Sequence, residues 1–457
     1  MIQLYAATSF ALCLLIVGIF FYNLYSLKVD AMSIRNLFLL GFAHFYCIGG
    51  YFTVTVGFHT ARDAGTESAF IKLMFLTPIF LTVFLGSFSL VYRKGWLQRF
   101  VPSIPMPVTS PALILSILVL ISGAMVAAIA PPQNFLGLFI VQFRSGMSAT
   151  AMALATYYLL AARFNPMSWL IFIGTLGLAA IASTAGGSGR RGLVAVLLAV
   201  PWIWYYFSLR YKKPSATVIK IGTVGAMAVV FLAAYGSYRQ QGGAGEGVSA
   251  GVRAEQMKSI LTTRQIDEGH LARMAYTDTV LNTLFIIEHY PDDYALSPFF
   301  GVKWFLLNPV PRILWAGKPD ALGITLREQM GTAANLGPGV IGHGWSEAVI
   351  VGVLYYAIFF GALTGICDGA IRRNIHNPFF VAVMISGGGN IIGLPRGDTP
   401  LFLLQITAVM VASFGTLYFV KLLFGPLVGA FPPLLVPQIA QAYQDQTDDD
   451  YWDEEDS

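Results

Sequence analysis

Charge is scarce in this sequence. Asp, Glu, Lys and Arg make up only 11% of its 457 residues, about half the share found in soluble globular chains. A nucleic-acid binder, a disulfide-stapled scaffold and a disordered chain are thereby excluded. Cysteine is nearly missing as well. Cys13, Cys47 and Cys367 fall in or beside apolar runs, where they offer neither a disulfide framework nor a zinc spacing and read as packing residues. No pair of histidines stands at a metal-ligand interval.

What the chain does have is apolar length. Hydrophobic residues make up 56% of it, aromatics 14%, and its mean hydropathy is +0.65. A crossing of the bilayer needs about 20 apolar residues. Runs of that kind fall at 4–27, 36–58, 69–92, 110–130, 138–162, 166–185, 192–208, 216–236, 346–367, 378–394 and 399–420. The expectation is an all-α polytopic membrane protein with about eleven transmembrane helices: eight within 1–236, a long connection over 237–345, and three within 346–424. Residues 425–457 form a proline-containing segment and an acidic tail. The first run lacks a basic start and a small-residue cleavage site, so it reads as a retained helix.

The net charge of +4 hides an asymmetry. Eight acids, from Asp445 to Asp456, crowd the tail, and without them the body carries 28 bases against 16 acids. Such a run of like charge reads as a solvated end. Bases are held back on the cytoplasmic side during insertion. One set of connections holds thirteen, from Lys28 to Lys421, while the short loops of the other set hold only Arg62, Arg190, Arg191 and Arg396. The N-terminus is therefore expected outside and the C-terminus in the cytoplasm. The 237–345 connection then lies on the outer face, where its length argues for function. Residues 252–290 have helical character, with Leu271, Met274, Leu281, Leu284 and Phe285 able to share a face. The whole segment is expected to lie on the membrane surface. The cytoplasmic connections are short and hold no nucleotide loop, which leaves ATP-driven or nucleotide-sugar chemistry without a place.

Several residues could carry chemistry. Gly186-Gly187-Ser188-Gly189-Arg190-Arg191-Gly192 ends one apolar run and opens the next. Backbone N–H groups at a helix start, flexible glycines and two guanidinium groups suit a phosphate-bearing ligand. A solvated turn reaching toward lipid headgroups is the other reading. Arg144 lies inside the fifth run, and an intramembrane charge is a functional-site hypothesis by default, with snorkelling as its alternative. Lys72 reads as snorkelling. Arg396, in Leu394-Pro395-Arg396-Gly397-Asp398, could pair with Asp398 or touch a ligand. Arg273, Arg312 and Lys318 belong to the long connection. His343 and Glu347 stand four apart where the chain re-enters the membrane, so on a helix they share a face. A carboxylate or imidazole in a partly dry cleft can serve as a general base; a polar helix cap is the plain alternative.

Three stretches carry a resemblance: Gly187-Ser188-Gly189-Arg190-Arg191-Gly192; Pro311-Arg312, Trp315 and Lys318-Pro319; and Glu347-Ala348 with Gly352, followed by Arg396-Gly397-Asp398. In these, and in architecture over most of its length, the chain resembles the bacterial oligosaccharide repeat unit polymerases, the O-antigen polymerase group related to the O-antigen ligases. It departs from that group in having Val349 where an aromatic is expected after Glu347, and His343 is more reminiscent of the ligases. The resemblance implies metal-independent transfer of a glycan from an undecaprenyl diphosphate carrier to an acceptor hydroxyl at the outer face of the bacterial cytoplasmic membrane, with no cofactor. Arg190, Arg191 and Arg312 would hold the diphosphate, with Arg144 and Arg396 as second choices and Arg273 and Lys318 as further contacts. Glu347 or His343 would take the acceptor proton, and Trp304, Trp315 and Trp345 would stack on sugars or form an interfacial belt. Membrane lipids, a chain-length regulator and a flippase are the implied partners. A ligase, or a carrier that moves lipid-linked sugars, remains the alternative; Pro78 and Gly387-Gly388-Gly389-Asn390 are the candidate helix breaks a carrier would need.

Overall fold

In hydrocarbon a chain must satisfy its own backbone polar groups, and an apolar run does so as helix. The computed structural model describes residues 2–26, 28–56, 65–129, 135–184, 190–225, 227, 278–310, 314–315, 317–332, 336–434 and 436. Among them the regular structure is helical, apart from one isolated bridge between Thr109 and Pro433. Seven helices are long and apolar enough to cross a membrane: α1 (Ile2–Ser26), α2 (Ile34–Thr55), α3 (Glu67–Lys94), α4 (Ser110–Ile129), α6 (Pro166–Thr184), α11 (Gly339–Arg373) and α14 (Thr399–Val428). The protein is therefore a polytopic membrane protein. α5 (Phe135–Ala161) has the length, but Gln142, Arg144, Ser145 and Ser148 dilute its hydropathy. α7 (Arg190–Phe207), α12 (Pro378–Ile385) and α13 (Gly388–Gly393) are shorter apolar helices. The long connection contributes α8 (Thr279–His289), α9 (Phe300–Leu307) and α10 (Leu322–Gln329).

Local signals set the helix ends. The Ser33 hydroxyl accepts from the Asn36 N–H at the start of α2 and Thr66 accepts from Ala69 at the start of α3, satisfying donors that a helix start otherwise leaves orphaned. α3 ends in Arg93 and Lys94, followed by Gly95 at φ 67°, a left-handed exit that favours glycine. Pro78 is absorbed inside α3 without interrupting it. The Gly387 region does interrupt: α12 ends at Ile385 and α13 begins at Gly388.

The chain groups into two compact units. The first comprises Met1–Val101, Val230–Ala370 and Gly389–Thr407. Its core is a stack of rings from α2, α3 and α11, with Phe38 on Phe84 at 4.7 Å, Phe42 on Phe80 at 5.4 Å and Phe38 on Phe360 at 5.7 Å. Three glycines one turn apart, Gly361, Gly365 and Gly369, let α11 approach closely. A side chain at Gly361 would run into the Phe84 carbonyl, and one at Gly365 would lie 3.0 Å from the Phe88 carbonyl. Small residues at this spacing are how membrane helices gain contact where lipid offers no hydrophobic drive. The Ser87 hydroxyl adds a bond to the Ile358 carbonyl at 2.8 Å. Farther along α11, the buried Asp368 carboxylate accepts the Ile34 and Arg35 N–H groups at 2.7 and 3.1 Å.

Within the long connection, α8 packs closely into the first unit. Thr279–Leu284, Ile286 and Ile287 are all buried. The reason is polar as well as apolar: Asn282 donates to the Gly337 carbonyl at 3.0 Å and Thr283 shares its hydroxyl with the Thr279 and Pro338 carbonyls, so this helix is bonded into the unit along its length.

The second unit comprises Pro102–Val229, Ile371–Gly388 and Ala408–Ser457. Its centre is α5, whose run Ala149–Ala155 is wholly buried. Small side chains permit close neighbours: Gly146 lies against the Val409 backbone and Gly192 of α7 against Ser145 and Ser183. Thr150 bonds Ser413 at 2.9 Å, and the Trp202 indole donates to the Val381 carbonyl at 3.2 Å.

Candidate functional site

A buried polar cluster lies in the first unit, at the start of α11. Its first three N–H groups are already taken. Gly339 and Val340 donate to the Arg396 and Pro395 carbonyls, both at 3.0 Å, and Ile341 donates to the Tyr46 hydroxyl at 3.1 Å. Tyr46 reaches it from a π-helical stretch in α2, Ala43–Ile48, a distortion of the kind that marks functional positions. Gly339, at φ 71°, has no room for a side chain beside that hydroxyl. This helix start is thus closed to an anion by its own partners.

One turn further on, His343 and Glu347 do share a face. The imidazole Nε2 lies 3.1 Å from Glu347 Oε1, with the two side chains 0% and 4% exposed. The helix then breaks. Ala348 (φ −157°, ψ 39°) and Val349 (φ 51°, ψ −132°) are non-helical, and α11 is two helices joined by a reversal. Gly344 before the break packs on Gly352 and Val353 after it. A β-branched residue at positive φ costs about 1–3 kcal/mol, which the surrounding contacts must offset. The expected crossing at 346–367 is corrected accordingly: the re-entering run is a short helix, Gly339 to Glu347, folded back on a longer one that ends at Arg373.

The reversal has a chemical result. Residues nine apart on a straight helix are separated by about 13 Å along its axis, yet the Tyr356 hydroxyl donates to Glu347 Oε1 at 2.6 Å. The Gly301 N–H, in the first turn of α9, donates to the same oxygen at 2.7 Å. Glu347 Oε2 accepts no hydrogen bond from the described residues. Nor does either ring nitrogen of His343 make a hydrogen bond among them, although the side chain is fully buried. Trp345 beside them donates its indole N–H to the Tyr290 carbonyl at 3.0 Å and carries the Lys72 ammonium 5.7 Å above its ring.

A second acid lies near. Asp398, immediately before α14, is buried and accepts the Gly323 N–H at Oδ2, 2.9 Å. Burial pushes its carboxyl above the usual carboxylate range, partly offset by His343 and by the Gly323 and Leu401 N–H groups. The expected pairing of Arg396 with Asp398 does not occur. The guanidinium, exposed, bonds instead to Asp278 Oδ1 at 3.0 Å and lies 5.9 Å from the Phe45 ring centre. Asp398 faces inward to Gly323, which an adjacent exposed arginine cannot follow.

The other expected residues are distributed as follows. Lys318 is buried, its ammonium bonded to the Asn308 and Val310 carbonyls at 2.6 and 3.2 Å, so it ties the loop after α9. Arg144 is fully buried in α5 and Arg191 is exposed at the start of α7, both in the second unit. Arg273, Arg312 and the Arg190 side chain lie outside the described residues. Trp304 and Trp345 are buried and Trp315 is half-buried. Among the described residues no three His, Cys, Asp or Glu side chains gather as metal ligands would. The sequence reading missed Tyr356 and Gly301: nine residues is no helical interval, and nothing in the sequence near Gly301 marks it.

A carboxylate held at one oxygen by two donors and open at the other can accept a proton from a hydroxyl placed there. In comparison with known proteins, the chain matches no family model, and no similar curated protein or solved structure was found.

Proposed function

We propose that this protein joins glycans: an oligosaccharide repeat unit polymerase that works at the outer face of a bacterial cytoplasmic membrane on polyprenyl-diphosphate-linked donors. The supporting observation is the Glu347 carboxylate, anchored through Oε1 by Gly301 and Tyr356 beside His343, at the point where the long connection meets α11. In this reading α5, α7, the α12–α13 pair and 216–236 join the seven spans to make eleven crossings. The acceptor hydroxyl gives its proton to Glu347 Oε2 as its oxygen bonds to the anomeric carbon of the donor. The bond from that carbon to the diphosphate breaks, and its electron pair leaves with the lipid-linked diphosphate. Guanidinium groups suit the charge that develops there; Arg190, Arg191 and Arg312 are our first assignments, and Arg144 and Arg396 our second.

The test is a purified, membrane-reconstituted protein given a lipid-linked repeat unit, with products resolved on a gel. Glu347→Gln should leave the protein inserted and lower chain extension about 100-fold or more. Full-length product from that variant would refute the assignment. Carrier-linked polymer accumulating in cells that lack the protein would identify a ligase instead.

A carrier of lipid-linked sugars is favoured by one observation, the interrupted apolar helices at Ala348–Val349 and between α12 and α13, since broken helices are common at transport sites. The reconstituted assay separates the two. A glycan product longer than the repeat unit supplied can come only from an enzyme, because a carrier moves its substrate unchanged.

A further inference from the structure

Two donors from two stretches of chain converge on one oxygen of Glu347, the Gly301 N–H from α9 at 2.7 Å and the Tyr356 hydroxyl from beyond the reversal at 2.6 Å, with His343 Nε2 lying 3.1 Å away. A carboxylate oxygen has two lone pairs, so Oε1 is saturated. The carboxylate cannot rotate about its last bond without giving up both hydrogen bonds at once. We propose that Tyr356 and the Gly301 amide are positioning groups, which hold Glu347 in one rotamer so that Oε2 alone meets the acceptor hydroxyl. This rests on the glycan-joining reading, and adds to it which atom of the base is used and what fixes that choice.

Two features support it. The first is the reversal at Ala348–Val349: without that break Tyr356 would stand more than two turns from Glu347, and the strained Val349 conformation is the cost of bringing it back. The second is the absence of a side chain at Gly301. A methyl there would overlap the Tyr356 hydroxyl and come within 2.9 Å of Glu347 Oε1 and 3.1 Å of His343 Nε2. Residue 301 therefore reaches the carboxylate through its backbone only, and the start of α9 lies directly over the acid–imidazole pair. Tyr356 itself is buried, with its ring edge-on to the His343 ring at 5.5 Å, so the hydroxyl has no second orientation to adopt.

The experiment measures kcat and KM of the reconstituted full-length protein with a polyprenyl-diphosphate-linked repeat unit. Tyr356→Phe keeps the ring and removes the one hydroxyl. It should lower kcat about 10- to 100-fold with KM unchanged, since a misplaced reacting group loses rate rather than binding. Gly301→Ala should do the same through its collision with the hydroxyl. Combined with Tyr356→Phe, the alanine should add less than its own loss, because its deepest overlap, with the hydroxyl, is gone and only the closer approach to Glu347 Oε1 and His343 Nε2 remains. Wild-type kcat in Tyr356→Phe, or losses that multiply in the double variant, would overturn the proposal. A variant that melts early and loses KM and kcat together would mark these residues as structural and also overturn it. If Tyr356→Phe retains full rate while Glu347→Gln is inactive, the positioning role alone fails. A fully active Glu347→Gln removes the glycan-joining reading and this inference with it.

Discussion

A buried carboxylate has to be paired, protonated or both, and the first unit contains three solutions. Asp368 spans the start of α2 with both oxygens. Glu347 is held at one oxygen only. Asp398 takes a single N–H at Oδ2 and is pushed upward by burial. For an acid whose folded pKa exceeds its unfolded one, the folded state binds the proton more tightly. Stability is then greatest below the unfolded value of about 4, falls as pH rises from there through the folded value, and levels off above it. Asp398→Asn removes that titration, and its amide oxygen can still accept from Gly323. Melting in detergent between acid and neutral pH should give a smaller decline for the variant than for the wild type. Identical pH slopes would show that Asp398 does not titrate in this range. The sequence made some of this legible: His343 and Glu347 four apart needed only a helix to meet. The Arg396–Asp398 pairing was the wrong neighbour because proximity along the chain says little about an ion pair, and the actual partner, Asp278, lies 118 positions away.

At the scale of the element, the apolar runs foretold α1 to α7 to within a few residues, because bilayer thickness fixes how much apolar chain a crossing needs, whereas α14 continues to Val428, eight residues past its run. The break in α11 was not legible. Ala348 and Val349 sit in a continuous apolar run, and no proline or glycine stands at the break itself; the available signal was the pair Gly344 and Gly352, eight apart, whose backbones pack together after the reversal. The same helix carries a second message that the apolar pattern concealed, Gly361, Gly365 and Gly369 on one face. Replacing Gly361 by leucine should push α11 off α3, since the added atoms meet the Phe84 carbonyl and Ser87 rather than lipid. Overpacking of this kind costs about 1–3 kcal/mol, seen as a lower melting temperature in detergent. Leucine at Gly174 or Gly177 of α6, where nothing lies within 4 Å, serves as the control and should leave the melting temperature nearly unchanged. Equal loss at Gly361 and Gly174 would mean that the glycine stripe is not what lets α11 approach.

For the molecule as a whole, the question that decides the chemistry is which side of the membrane the Glu347 cluster faces. Eleven crossings, an odd number, would put the termini on opposite sides. Which side is which depends on the basic residues, and thirteen against four is a strong bias, because lysine and arginine resist translocation. Two exposed positions report on it, Ala295 between α8 and α9 and Lys213 after α7. In a protein freed of Cys13, Cys47 and Cys367, Ala295→Cys should react in intact cells with a maleimide that cannot cross the membrane, and Lys213→Cys only after the cells are opened. The opposite pattern would place α8, α9 and Glu347 on the cytoplasmic side. A donor presented at the outer leaflet could not then reach Glu347, and the residues would have to serve a reaction fed from inside. The labelling needs no substrate and no knowledge of the sugar, so it can reject the glycan-joining reading before any activity is measured.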